Sequence, residues 1–373
     1  RTVAALPFGG SYRVVDFPLT NFLHSGLRRI FVFTQFNSLS LQNHLRDGWS
    51  IFNTDLGEFV MPVTPPMRDK ALTYGGPADA LLHNLYLLER SGEDTVIVVS
   101  GEQLYRMDYA AVLTFHAEND ADMTVVGVDP ELANGAEFDC ALDVNGENRV
   151  TGVNRPGGGG TGPMGIYVFN RELLINLVRE LETTGIDDAG IDALVEAALG
   201  GGHRVSLYRF GGEYGRVSQD RYWRTLSSLD SYYEANMDLL RLEPLLDLYQ
   251  TDWPIRSYQI QCPPARTVPG ESGNQGVCVN SIVSGGTVIA GGGVNHSVLS
   301  YRVQIGDGAT VEESILFSGV SVGAGASLQR VICDRGVNIP AGETIGFDPE
   351  ADARRFTVTA NGIVVISSNA DFG

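Results

Sequence analysis

The 373-residue sequence predicts two architectures in series, an α/β layer domain with a mostly parallel sheet and then a solenoid of short β-strands. Three observations predict them: apolar strand-sized runs alternating with amphipathic stretches up to about residue 240, a Pro-rich stretch after it, and a fixed 17-residue repeat in the last third. Length allows two or three domains with a real core. Hydrophobic content of 43% against 19% charged residues excludes a disordered chain. No apolar run approaches the length a bilayer needs, and no signal peptide is visible. The first residue is Arg, not Met, which predicts an incomplete N-terminus.

In the first region, strands are expected at 30–34, 95–100, 123–128, 165–169 and 205–210. Leu81, Leu82, Leu85 and Leu88 mark a helix over 80–90, and Leu173, Leu174, Leu177 and Leu181 mark a second. Strands alternating with helices argue for a layered α/β domain. Residues 244–268 carry four prolines and little periodicity, which predicts a linker touching both domains. In the last third, Val288, Ile305, Val322 and Ile339 stand 17 apart, and Val294, Val311, Leu328 and Ile345 follow each by six. Val298, Ile315, Ile332 and Val303, Val320, Val337 keep the same period, with Gly-rich turns at the corners. A coil per repeat explains the pattern; a sandwich of hairpins explains the glycines without the constant period. The boundaries that follow are 1–243, a linker over 244–276, and the solenoid over 277–373.

The net charge of −19 repels polyanions, so neither nucleic acid nor an anionic membrane is an expected partner. Cysteines 140, 262, 278 and 333 have no metal-type spacing and read as reduced, small buried hydrophobes of a cytoplasmic protein. Chemistry is expected at the carboxyl ends of the sheet strands. There Gly101-Glu102 follows a strand, and Glu102 reads either as a metal-binding carboxylate or as a solvated strand-end acid. Gly9 and Gly10 allow close backbone approach to a ligand, and Arg13 offers a fork for phosphate, although a plain turn reads as well. His296, alone in the solenoid, is the one feature that an acyltransferase reading has.

The motifs LPFGGSYRVVDFPLTN, HSGLRRIFVFTQF, RDGW, GEQLYRMDY, MGIYVFN, YYEANMDLL, DWPIRSY, CPPAR, NSIVSGG and DPEADARRF, in that order, resemble bacterial ADP-glucose pyrophosphorylase (glucose-1-phosphate adenylyltransferase). The resemblance spans nearly the whole chain. It implies a Rossmann-like α/β nucleotidyltransferase domain, a left-handed parallel β-helix, and assembly as a homo- or hetero-tetramer. It implies ATP and glucose 1-phosphate as substrates, Mg2+ as cofactor, ADP-glucose for glycogen biosynthesis as product, and allosteric control by small anionic effectors.

Family residues carry over where the motifs match, with several departures. The family's Gly-rich loop belongs upstream of Arg1, and its next segment reads Arg1-Thr2-Val3, with Val3 in place of a Lys. The metal-site Gly-Asp-His reads Gly101-Glu102-Gln103, and the second metal Asp is Thr225 in Trp223-Arg224-Thr225. The sugar-phosphate Lys is Arg155 in Asn154-Arg155-Pro156, and a Phe-Gly pair reads Phe138-Asp139. Tyr74 matches a nucleotide-side aromatic, and Asp79, Met164 and Gly165 lie in matching substrate motifs. Arg1, Arg13 and Arg266 match effector-side motifs, with Arg354 and Arg355 nearby; surface ion pairs read equally well for each. The end of the chain departs too, with Ser367-Ser368-Asn369 following Ile366. Glu102, Arg155 and Thr225 therefore form a degraded catalytic set, and the expectation is a weakly active or regulatory subunit. A fully active enzyme using Glu102 for magnesium is the alternative.

Overall fold

The computed structural model describes residues 2–35, 38–65, 73–134, 136, 138–154, 160–184, 190–212, 215–217 and 220–372. The chain divides into two compact units that are not simple halves. The first holds residues 1–5, 17–224 and 251–255; the second holds 6–16, 225–250 and 256–373.

The first unit is built on a four-stranded sheet in the order Val205–Arg209, Met123–Val128, Gly162–Asn170, Thr95–Val99. Three strands point one way, and Gly162–Asn170 runs against both its neighbours. Strand residues alternate between two cores, as a sheet covered on both faces requires. Met123, Val125, Tyr167, Phe169, Val205 and Leu207 face the helices Arg171–Thr184 and Asp192–Gly200. Val126, Val128, Ile166, Val168 and Tyr208 face the other way, against Tyr109 and Val112 of the helix Tyr109–Glu118. The side chain of Asp108 caps that helix by accepting the N–H of Ala110. A separate parallel pair joins Arg29–Phe33 to Phe59–Val63.

The leucine stripe expected as one helix over 80–90 is two, Pro77–His83 and Leu85–Glu89. Asn84 interrupts it: its Nδ2 donates to the Ala80 carbonyl at 2.8 Å and to the Tyr74 hydroxyl at 2.9 Å. Such a side chain competes locally with the helix ladder.

The second unit contains a parallel β-helix, three sheets in which each short strand pairs with its equivalent one coil on. Three interior columns run its length: Ile289–Ile305–Val322–Ile339, Val294–Val311–Leu328–Ile345 and Leu299–Leu316–Cys333–Ile366. One column read from the sequence needs correction at its start. Ile289, not Val288, pairs with Ile305, because the corner after it is one residue shorter and made of Gly291 and Gly292. A Cβ on Gly292 would stand 2.7 Å from Ile305 Cγ2, which only glycine avoids. Val298, Ile315 and Ile332 lie on the outer side of their sheet, buried nonetheless, while the next residue of each coil points inward. The helix Leu229–Asp238 belongs to this unit, and its Tyr233 hydroxyl donates to the Glu313 carbonyl at 2.7 Å.

One corner carries a serine ladder. The hydroxyls of Ser281, Ser297 and Ser314 accept the N–H of Ser297, Ser314 and Val331 at 3.0, 3.0 and 3.1 Å. Each donates in turn to the carbonyl two residues back, at 2.7, 2.8 and 2.6 Å. The corner thereby satisfies buried backbone that the short strands leave over. All four cysteines are free; Cys140 and Cys333 are buried, and Cys262 and Cys278 are half-buried.

Candidate functional site

In the first unit the strand Thr95–Val99 runs into Ser100, Gly101 and Glu102. Its antiparallel neighbour carries an irregularity between Pro163 and Tyr167, and Gly165 sits inside it at φ +70°. The Gly165 carbonyl accepts the Ser100 N–H at 2.9 Å, and a Cβ there would lie 3.1 Å from both Gln103 Nε2 and Ser100 Cβ. Bulges re-aim strand ends in this way beside functional sites. The neighbouring Met164 is fully buried in the core.

Glu102 presents a solvent-accessible carboxylate, and its N–H reaches Ser100 Oγ at 3.4 Å. The protein mass crowding that carboxyl raises it above the ordinary glutamate value, an effect that solvent access moderates. Gln103 is buried, and its Oε1 accepts the Trp223 indole N–H at 3.2 Å. Trp223 stacks on Phe138 with centroids 5.7 Å apart and planes 12° apart. Asp139, beside that stack in sequence, is exposed to solvent.

Tyr74 is held from three directions. Its N–H donates to Gln35 Oε1 at 3.0 Å, its carbonyl accepts from Gln35 Nε2 at 3.2 Å, and its hydroxyl accepts from Asn84. Asp79 fixes the next turn by accepting the Gly75 N–H at 2.8 Å, and it faces His83 Nδ1 at 2.9 Å. Burial raises the Tyr74 phenol, and the Asn84 hydrogen bond opposes that. Sequence reasoning missed Gln35, Asn84 and Gln103. Their partners are up to 120 residues away, and no spacing rule reaches that far.

The other expected site residues have the following places. Asn154 donates to Asp143 Oδ1 at 2.7 Å across the hairpin Ala141–Val144/Val150–Asn154. Arg155 and Arg1 lie outside the described residues. Thr225 is the last residue of the strand Trp223–Thr225, which pairs with Gln103–Tyr105; Gly9, Gly10, Arg13 and Arg266 belong to the second unit. Gly9 and Gly10 are buried at φ +53° and +79°, and a Cβ on Gly10 would meet Ser284 Oγ at 2.6 Å. The close approach these two glycines permit there is to their own unit. The Arg13 N–H donates to Asp16 Oδ2 at 2.8 Å. Arg266 is exposed; Arg355 pairs with Glu343 at 2.8 Å, and Arg354 Nε donates to the Glu350 carbonyl at 3.1 Å. His296 Nδ1 is 2.8 Å from Asn280 Nδ2.

Magnesium sites combine one or two carboxylates with phosphate and water in a tight octahedron. Among the described residues no three His, Cys, Asp or Glu side chains gather into a metal-sized cluster. At the strand end Glu102 is followed by a committed amide. Among residues 100–103, Glu102 supplies the one carboxylate that a magnesium ion carrying substrate phosphates could use.

A catalytic-type strand end in a mixed α/β unit, with a hexapeptide-type β-helix in the same chain, defines a class: a nucleotidyl transferase with an appended left-handed solenoid. Residues 2–241 match the family described as nucleotidyl transferase, and residues 263–366 match the GlmU-like, C-terminal hexapeptide family. Similar curated proteins include glucose-1-phosphate adenylyltransferase 2 of Vibrio parahaemolyticus, 46% identical over 100% of this chain and 94% of its own. The protein of the same name from Vibrio cholerae is 43% identical with the same coverage. Glucose-1-phosphate adenylyltransferase 1 of Alkalilimnicola ehrlichii is 42% identical over 99% of this chain and 89% of its own. The chain belongs to the glucose-1-phosphate adenylyltransferase (ADP-glucose pyrophosphorylase) family. No helix among the described residues is long and apolar enough to cross a membrane.

Proposed function

We propose that this chain binds ATP and glucose 1-phosphate as its relatives' names imply, turns them over weakly, and serves chiefly as a regulatory subunit of a cytoplasmic tetramer that answers to small anionic effectors. The reaction it retains in reduced form is attack of the sugar-phosphate oxygen on the α-phosphorus of ATP, with the bond to pyrophosphate breaking. Such a transfer depends on positioning and on cations that neutralise charge spreading over the phosphoryl oxygens.

The observation carrying this reading is the strand end, where Glu102 is the one acid before Gln103, whose amide is engaged by Trp223. The position matching a second metal acid is the neutral Thr225. A lone, raised carboxylate with a methylene more than aspartate is a poor substitute for two short ones. Tyr74 and Asp79, by contrast, stay firmly held, which suits retained nucleotide binding.

Pyrophosphate release from ATP and glucose 1-phosphate with magnesium tests the proposal on the natural full-length protein. Turnover at least about 100-fold below the roughly 1–10³ s⁻¹ typical of enzymes is expected. The Glu102→Asp, Thr225→Asp double variant is expected to raise it by ~10-fold or more, since the two restored contacts together are worth about 1.4 kcal/mol or more in the transition state. Ordinary turnover in the unmodified protein refutes the reading, and no gain in the double variant removes these two positions as the cause.

A further inference from the structure

The strands Gln103–Tyr105 and Trp223–Thr225 pair with each other and with no further strand among the described residues. Three residues each give few ladder hydrogen bonds, and an isolated two-stranded ribbon has little stability of its own. Its register, which decides what stands beside what, is then weakly specified by backbone. Yet the ribbon carries both acid positions of the candidate site. Glu102 immediately precedes the first strand, and Thr225 ends the second. A slip of one residue moves either position by about 3.3 Å along the strand.

Side chains supply what the backbone lacks. The Trp223 indole donates to Gln103 Oε1 at 3.2 Å, and Asn134 Nδ2 donates to the Trp223 carbonyl at 2.8 Å. A second tie lies just outside the strands. Arg106, the residue after Tyr105, donates from Nη1 to Asp220 Oδ2 at 2.6 Å, and the other oxygen of Asp220 accepts the Tyr222 N–H at 3.1 Å. The carboxylate thus grips the chain leading into Trp223 while the guanidinium holds the carboxylate. The Arg106 side chain is 0% exposed and that of Asp220 11%. A cavity of about 30 Å³ beside the pair has Arg106, Asp108, Asp220 and Arg221 in its wall. That leaves room for water, so the pair's geometry is set by its own hydrogen bonds more than by close packing.

Stability does not account for this pair. Well-packed apolar side chains commonly replace a buried ion pair at no loss. What they do not replace is direction, because a charge-assisted hydrogen bond fixes angle as well as distance. We infer that Arg106 is a positioning residue for the transfer: through Asp220 it sets the register of this ribbon, and so the separation of residues 102 and 225. Its own guanidinium, sealed from solvent, stays out of reach of substrate. The inference rests on the reading of Glu102 and Thr225 as the reacting end. A displacement of about 1 Å at a reacting centre costs on the order of 100-fold in rate, so such a clamp acts on turnover more than on substrate affinity.

The Arg106→Met, Asp220→Leu double variant of the natural full-length protein keeps the interior filled and removes the clamp; Arg106→Lys, which keeps a charged donor, is its comparison. Exchange of the Trp223 indole hydrogen reads the ribbon, and that of Trp49, 1% exposed in the helix Leu39–Trp49, reads the unit as a whole. In the double variant the Trp223 rate is expected to rise roughly 10-fold or more with Trp49 unchanged. Turnover is expected to fall about 10-fold or more at nearly constant KM for ATP, and Arg106→Lys is expected to recover much of both. An unchanged Trp223 rate, or an equal rise at Trp49, overturns the clamp. A loosened ribbon with undiminished turnover leaves a structural tie and overturns the positioning role. Where the unmodified protein turns over too slowly to compare, the Glu102→Asp, Thr225→Asp background takes its place, and no turnover in that background overturns the role too. Ordinary turnover in the unmodified protein fails the weak-activity reading alone, since the contrast between variants is still measured. Should the double variant not fold, Asp220→Asn, which keeps an acceptor for Tyr222 and loses the one for Arg106, is read in the same way.

Discussion

Replacing Ser314 with Ala removes one rung of the serine ladder without changing the interior columns. The Ser314 hydroxyl accepts the Val331 N–H at 3.1 Å and donates to the Glu312 carbonyl at 2.6 Å. Ser314 and Val331 are both 0% exposed, so water cannot replace the lost acceptor without opening the coil. An orphaned buried N–H costs about 1–3 kcal/mol, and a central value of ~2 kcal/mol is expected here. Because the chain forms two units, one global melt is not a two-state measurement. The better assay is amide exchange across the coil Ser327–Cys333, where ~2 kcal/mol appears as a roughly 30-fold rise in the opening constant. Ser327→Ala is the control. Its hydroxyl meets Thr310 Oγ1 at 3.1 Å on the exposed outer face, and its loss is expected to cost less than ~0.5 kcal/mol. Equal effects from the two variants would refute the claim that the ladder carries buried backbone.

Val322→Asp places an unpaired charge in an interior column 3% exposed, and loss of the solenoid's cooperative unfolding is expected; an unchanged melting profile counts against the coil assignment. Gly165→Ala puts a Cβ at φ +70°, 3.1 Å from Gln103 and Ser100, and is expected to destabilise the first unit by ~1–2 kcal/mol; a neutral urea midpoint sinks the strain argument. Burial lowers the His116 imidazole below its ordinary value, with its ring between Thr124 Oγ1 at 2.8 Å and Asn170 Oδ1 at 3.2 Å. The unfolded chain takes up that proton near pH 6.5 and the folded one only lower, so stability is held above that pH and lost as pH falls from about 6.5 to the depressed value. His116→Gln is expected to flatten this acid slope in urea titrations, and an unchanged slope rules the residue out.

The β-helix was legible because its period is long, constant and punctuated by glycine, so several columns betray one geometry. The one error there was local. A corner one residue shorter shifted Val288 out of the column that Ile289 occupies. At Val298 and Leu299 two adjacent aliphatics are both buried, and periodicity has no means of choosing which faces inward. The strands of the α/β unit came from continuous apolar runs, and Met123–Val128 appears with the expected bounds. The expected 80–90 helix failed at Asn84, where two side-chain hydrogen bonds outweigh a leucine stripe. At the candidate site, Glu102 and Gly165 were visible from the strand end and the motif. The Gln103–Trp223–Phe138 assembly was not, since it exists only once distant segments fold.

The chain's partition has a consequence for how it can be made or cut. Residues 6–16 belong with the solenoid unit, and residues 251–255 return to the α/β unit after 26 residues of the other. Trp253, in that returning piece, donates its indole N–H to Asn21 Oδ1 at 2.9 Å and lies against His24 with centroids 4.7 Å apart. During vectorial synthesis, the earlier-made unit therefore waits for a late residue to finish its interior. A protease nicking the stretch just before Thr251 would sever covalent continuity yet leave a peptide that each body still grips, so separating the two by a single scission is not available to this polypeptide.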